Sequence, residues 1–484
     1  MNYKNIYMKK IVAILLFGSL LSCTDHFEEL NTDKKSLASV PAESLFNNAT
    51  ERFYHIMNSN SVNYAVFKLY AQYQAQTTYP DESQYNMVTR NISANWYSRL
   101  YKDGLNDLKE AKRLLATQET NATTAPIQKN KLAIIAINEV QMYSTLVDLF
   151  GNVPYSTALD FENPSPSYDD AKTIYYDLFS KLDQAISDID VNAAGFESKN
   201  DLINQGDVAM WKKAANSLKL RLAMRIADTD AATAQTMAES AVASGVFSEL
   251  SDDLSMEYIS AAPYTNPAYE DFVLSGRTDF VAANTIVDVM NEYNDPRRTA
   301  FFSSNLDGAY VGGTYGTTNS YPNSTQVGSY LQTSTSSGIL ISCSEVEFLR
   351  AEAAARGFNV GGTAEELYNK AVATSIMEWG GSQADADTYL AQDGVTYSAT
   401  DWKQQLGTQK WISLFYNGGI EGWTTWRLFD FTGFNVPDGL AYSDIPNRLL
   451  YPTNEATLNG TAVKAAAAAI GGDTKQTKIF WDVN

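Results

Sequence analysis

The chain has 484 residues, 56 of them acidic and 36 basic, for a formal charge of −20. So acidic a chain lacks the basic surface that would neutralise phosphates, which excludes a nucleic-acid partner, and it gains nothing from an anionic lipid surface. Hydrophobic residues make up 44% and aromatic residues 12%, enough for a substantial core, and the length allows two or three domains or one large helical unit.

At the N-terminus, Lys4, Lys9 and Lys10 precede an apolar run over residues 11–21 that only Gly18 and Ser19 interrupt. That run is too short for a transmembrane helix, which needs about 20 residues, and it reads as a secretory signal. It ends Leu20-Leu21-Ser22-Cys23, a boundary similar to the bacterial lipobox. Residues 1–22 are therefore expected to be a lipoprotein signal and Cys23 the acylated residue, several acyl chains giving stable anchoring where one would not. Cys343 is the only other cysteine; with Cys23 acylated it has no disulfide partner and is expected to be a buried thiol. No later stretch has the uninterrupted apolar length of a membrane helix.

Residues 23–35 are polar and read as a tether. Leu45, Ala49, Phe53 and Met57 then recur at helical spacing, and residues 62–73 continue helically. Residues 74–92 break the pattern, and Trp96 is expected to begin the helix that follows. Over residues 132–150, Leu132, Ile135, Met142, Tyr143, Leu146 and Phe150 form an apolar stripe, with Gly151 placed as a C-terminal cap. Ile174, Leu178, Leu182 and Ile186 repeat the spacing. Asp207 is placed to cap a helix that buries Trp211, Ala215, Leu218, Leu222 and Ile226. Arg221 and Arg225 on that helix are expected to bind carboxylates or carbonyls internally. Asp295-Pro296 suits an N-cap followed by proline.

Residues 303–338 are dense in Gly, Ser, Thr, Asn and Tyr, with Asp307 the one charged residue. A connection this long is functional or disordered, and its tyrosines argue against disorder. Ser344-x-x-Glu347 reads as a capping box opening a helix that Gly357 closes, with residues 367–379 pairing against it. The predicted fold class is mainly α: tetratricopeptide-like helix hairpins, irregular loop-rich segments and a few short strands, without a strict repeat period. One domain over residues 23–484 is expected, helix-rich over about 40–260 and loop-rich over about 261–484.

Catalytic constellations are sparse. His26 and His55 are the only histidines. There is no paired-histidine or Cys-x-x-Cys arrangement for zinc, no Gly-x-Ser-x-Gly elbow, no P-loop and no dinucleotide fingerprint. The abundant acids leave a glycosidase-like pair open, although residues such as Asp183 and Asp188 fall on polar helix faces. Asp228-Thr229-Asp230 is too short for a calcium loop; a calcium site assembled from separate segments stays open. Trp211, Trp379, Trp411, Trp423, Trp426 and Trp481 read as core, whereas Trp96 and Trp402 are less committed to it.

Several segments, in order, are similar to one family. They are Phe27-Glu28-Glu29-Leu30-Asn31, Phe150-Gly151-Asn152-Val153-Pro154-Tyr155 with Asn152 in place of Asp, residues 211–225 (WKKAANSLKLRLAMR), Asp295-Pro296-Arg297 and residues 345–357 (EVEFLRAEAAARG). Gln409-Lys410-Trp411, Asn417-Gly418, residues 423–427, Pro446-Asn447-Arg448, Tyr451-Pro452, Glu455 and Trp481-Asp482 continue the series. Together they resemble the SusD/RagB family, in its divergent SusD-like branch.

The resemblance implies a cell-surface, outer-membrane lipoprotein, attached only through its lipid, that captures an oligosaccharide or peptide nutrient. The partner it implies is a SusC-like TonB-dependent transporter, with no catalysis; no cofactor is expected and no metal-ligating residues are assigned. The rivals are a surface glycosidase or peptidase and a structural or adhesive lipoprotein. Since the helices commit their aromatics to the core, ligand-facing aromatics are expected from loops, where Tyr offers flat apolar area and a hydroxyl. The candidates are Tyr79, Tyr85, Asn86 and Arg90 from the first irregular stretch and Tyr310, Tyr315 and Tyr321 from the second. Trp96 is a candidate pocket border, and Tyr264, Tyr269 and Arg277 come from a third turn-rich segment.

Overall fold

The computed structural model describes residues 40–483; the expected signal, Cys23, the tether and the Phe27-Glu28-Glu29-Leu30-Asn31 segment lie outside the described residues. The four-residue apolar spacing builds α1 (Ala42–Asn58), followed by the short α2 (Val66–Tyr70) and the strand β1 (Gln74–Gln76). Helix α3 (Ile92–Ser98) passes through a π-helical segment (Arg99–Leu105) into α4 (Asn106–Ala116). A Cβ at Gly104 would stand 2.7 Å from the Met142 sulfur, so glycine permits close packing there. The central α5 (Thr124–Phe150) is long and apolar enough to cross a membrane, yet 89% of its most apolar window is buried, as in a core helix. Gly151 ends it at φ +81°, a conformation that favours glycine.

Strands β2 (Val153–Pro154) and β3 (Tyr168–Asp169) pair antiparallel and lead into α6 (Ala171–Asp188), which packs on α5. Asp170 caps α6 through Thr173 N, and Asp207 caps α7 (Val208–Arg225) through Ala209 N and Met210 N. Helix α8 (Ala231–Ser244) closes the next hairpin on α7. Two more antiparallel pairs tie early to late sequence: β4 (Leu254–Met256) with β6 (Gly338–Ile341), and β1 with β5 (Phe280–Ala282). The late hairpins are α9 (Cys343–Ala355) on α10 (Ala364–Glu378), and α11 (Trp402–Ser413) on α12 (Ile420–Phe429). From Ala42 onward the described residues form one compact, mainly helical unit with short strands.

Two capping expectations are corrected. Ser342, not Ser344, caps α9, accepting Glu345 N. Ser344 is otherwise engaged: its N–H and hydroxyl both donate to Glu378 on α10, at 2.7 and 2.5 Å. Glu347 is buried between Arg350 and Lys370 rather than closing a capping box. The short helix after Asp295-Pro296 begins at Arg298; the Asp295 carboxylate instead holds the backbone N–H and guanidinium of its buried neighbour Arg297. Cys343 is buried, and burial pushes its thiol well up from the usual range.

Glu378 meets a second carboxyl group, Asp253, which accepts Cys343 N at 2.8 Å. Burial first, then Asp253, pushes Glu378 up to about 8 from 4.5. Between those values the native state holds a proton that the unfolded chain has released, so stability falls as pH rises through the window. Glu378→Gln should flatten that decline, which denaturant midpoints from about pH 5 to about pH 8 would register. A slope equal to the wild type would contradict the raised Glu378.

Candidate ligand surface

Three loops converge beside β1 and β5. Gln72, in the turn after α2, accepts Asn435 N at 2.8 Å and Thr285 Oγ1 at 2.7 Å, and donates to Asn435 O at 2.7 Å. Four residues on, Gln76 organises the following turn. Its Nε2 donates to Glu82 Oε2 and Tyr79 O at 2.7 and 2.9 Å, and its Oε1 accepts Ser83 N and Oγ at 3.0 and 2.8 Å. Arg90 pairs with Glu82 at 2.5 Å. Asn86 accepts Val88 N and Thr89 N, closing a local turn.

The second irregular stretch is held against the first. Asn319 N and Nδ2 donate to Gln76 O at 3.1 and 2.9 Å, and Gln84 Nε2 donates to Gly316 O at 3.0 Å. Gly313 N donates to Ala282 O on β5, while a Cβ at Gly312 would stand 2.3 Å from Asn284 Cα. Gly316, at φ +80°, packs on Pro437 of the third loop, residues 431–441 after α12. Thr77 joins the 277–279 segment through Thr278 O and Asp279 O. The two stretches singled out from sequence are thus brought together.

Their side chains divide. Tyr79 points outward with 70% of its surface exposed. Tyr85 and Tyr315 do not: both are buried, their rings 6.3 Å apart, and Tyr85 also packs on Tyr70. Trp96 is buried too, its indole N–H on Tyr64 O and its ring edge-to-face with Phe67 at 5.0 Å. These three rings are covered by protein and present no face to a ligand, which corrects the expectation for each. Tyr310 is half-buried against Phe302 with Arg298 over its ring, and Tyr321 is half-buried in a 3-10 turn. Arg277 is exposed and paired with Asp279.

A separate concavity lies elsewhere. An open cleft of about 1050 Å³ runs between the polar face of α1 and the turn over residues 262–275. Tyr264, half exposed, stands on its lip; Tyr269 is half-buried at the end of a short helix behind it. Asn48, Glu51 and His55 line the α1 wall, and Glu270, which accepts Thr265 Oγ1 at 2.5 Å, lies opposite. Burial raises Glu51 and lowers His55, leaving the imidazole neutral near pH 7. Sequence reasoning missed this wall. Its signal was the polar face of α1 opposite Leu45, Ala49, Phe53 and Met57, but nothing in the sequence says that the Tyr264 turn folds over it. Among the described residues, no group of three or more His, Cys, Asp or Glu side chains is placed to hold a metal.

Helix hairpins in series, with loops held against one another beside β1 and β5, define the class as a helical scaffold that presents loops. A family described as starch-binding and associating with the outer membrane, the SusD-like family, matches residues 34–452, and the chain belongs to it. Among solved structures, a chitin-binding protein is 26% identical with a TM-score of 0.78, covering 92% of this chain and 100% of its own. A SusD homolog from Bacteroides uniformis is 26% identical with a TM-score of 0.75, covering 91% and 99% respectively. A SusD-like protein from Bacteroides thetaiotaomicron, 23% identical with a TM-score of 0.78 over 92% and 99%, shares the fold. No curated protein matches the chain.

The division among tyrosines is measurable. Tyr85→Ala should cost about 3–5 kcal/mol of unfolding free energy, as for other large buried rings, and Tyr79→Ala should stay within about 0.5 kcal/mol of wild type. Denaturant melts check both; equal losses would contradict the burial described.

Proposed function

We propose that this chain is a cell-surface, lipid-anchored protein of the outer membrane that captures an oligosaccharide for uptake through a SusC-like TonB-dependent transporter. The observation that carries the reading is the match of residues 34–452 to a family described as starch-binding and outer-membrane-associating. The likeness to a chitin-binding protein at 26% identity supports a glycan over a peptide. A signal over residues 1–22, acylation of Cys23 and a single domain over residues 23–484 belong to the same reading. Capture requires affinity without bond cleavage, so the proposed role is non-enzymatic and uses no cofactor. On the loop surface, Tyr79 offers a stacking face, and the satisfied hydrogen bonds beneath it hold that face in place at little further entropic cost on binding.

The full chain should be retarded in native gels containing soluble starch or glycol chitin, and long incubation should leave the polymers intact. Cys23→Ala should move it from the membrane to the soluble fraction, and gentle detergent extraction of wild type should yield a large β-barrel protein with it. Three results count against the proposal: no retardation by either polysaccharide, polymer hydrolysis abolished by replacing one carboxylate, or membrane retention of the Cys23 variant.

A further inference from the structure

The cleft beside α1 is lined by different residues from the three-loop surface, and its chemistry narrows what it takes. Its volume of about 1050 Å³ is at the upper end for small-ligand sites. Asn48, Glu51 and His55 stand on one face of α1, three and four residues apart, and Glu270 and Tyr264 belong to the opposing turn. Glu51 lies 3.4 Å from Arg52 Nε and 3.8 Å from His55 Nδ1, neither a tight pair. Glu51, an acceptor on this wall without a tight donor, therefore faces the open space.

Three ligand classes fit poorly. Arg52 and Lys199 line the cleft together with Glu51 and Glu270, so a charged ligand of either sign would meet its own charge there. An extended peptide needs a strand edge for main-chain pairing, and the lining consists of a helix and turns. An apolar molecule would strand the amides and carboxylates. A neutral polyhydroxylated ligand fits this lining: its hydroxyls can donate to Glu51 and Glu270 and accept from Arg52 and Lys199, and a sugar ring's C–H face can lie on the half-exposed Tyr264.

We infer that this cleft is a second saccharide-binding site, separate from the loop surface, in which Tyr264 stacks on a sugar ring and Glu51 takes its hydroxyls. The inference rests on the glycan-capture reading. Two sites on one chain let a single polymer engage twice, which raises avidity without any new contact type.

Calorimetry of the full chain with chitohexaose and with maltohexaose tests it. For whichever hexaose binds, wild type should take up two per chain. Tyr264→Ala should weaken one of the two by on the order of tenfold or more, the usual loss for a stacked ring. Glu51→Gln, which keeps shape and removes charge, should weaken the same site. Tyr79→Ala should leave that site intact. The Tyr264 ring is half exposed, so its variant should melt with wild type. A wild type that binds one hexaose per chain, with affinity unchanged by Tyr264→Ala and Glu51→Gln, overturns the second site and leaves the glycan reading standing. A wild type that binds neither hexaose and neither polysaccharide overturns both.

Discussion

Arg225 sits fully inside the protein at the last turn of α7, and five separate segments have to meet around it. Its Nη2 reaches both Glu421 oxygens on α12 at 2.7 and 2.8 Å, and its Nε lies 3.2 Å from Asp148 on α5. Asp148 also accepts the Tyr175 hydroxyl from α6 and, at 2.9 Å, the Trp481 indole N–H from the C-terminal segment. Beside it Arg427 donates to Asp148 O and Asn447 O, its guanidinium 3.7 Å from the Trp423 ring centre. Burial works against the Glu421 carboxylate, but Arg225 and Arg221 outweigh it and hold the group at about 2. Removing one partner from such a buried set leaves a charge with neither water nor counter-charge, at a cost of about 3–5 kcal/mol. Early and late sequence are therefore locked together.

The loop surface is tied to α11, which packs on the Glu421-bearing α12. Tyr73, one residue before β1, donates to Trp411 O, and Trp411 returns its indole N–H to Ala71 O at 2.7 Å, so α11 fixes where β1 begins. From there Gln72 and Gln76 arrange the turns that put Tyr79 outside and Tyr85 inside. The scaffold thereby sets the position of each loop, and the loops need little rearrangement to present a face.

Much of the helical frame was legible because burial on one face leaves a periodic trace. The stripes of α1, α5 and α6, the Asp207 cap and the Gly151 stop all follow from local chemistry. Arg221 and Arg225 were readable as internal ion-pair formers, but not their partners: Glu345 and Glu421 lie 124 and 196 residues away. The same limit governs the loops. Tyr79 and Tyr85 have the same side chain and similar neighbours, and both sit at positive φ; what separates them is a bed of distant residues, Tyr70, Tyr315 and Gln72, under one and not the other. Ser344 looked like a cap because local spacing allowed it, and Glu378 from α10 claimed it instead. The cleft was invisible for the related reason that one wall is a helix face and the other a turn some two hundred residues later.

The most direct test of this account is hydrogen exchange on Glu421→Gln, which removes one charge and keeps the side-chain volume. If the Arg225 junction unites the chain, amides of α5, α7 and α12 should lose protection together, and those of β1 and β5 with them. The loss should amount to about 3–5 kcal/mol. Loss of protection confined to α12, with α5 and the β1–β5 pair exchanging as in wild type, would contradict it.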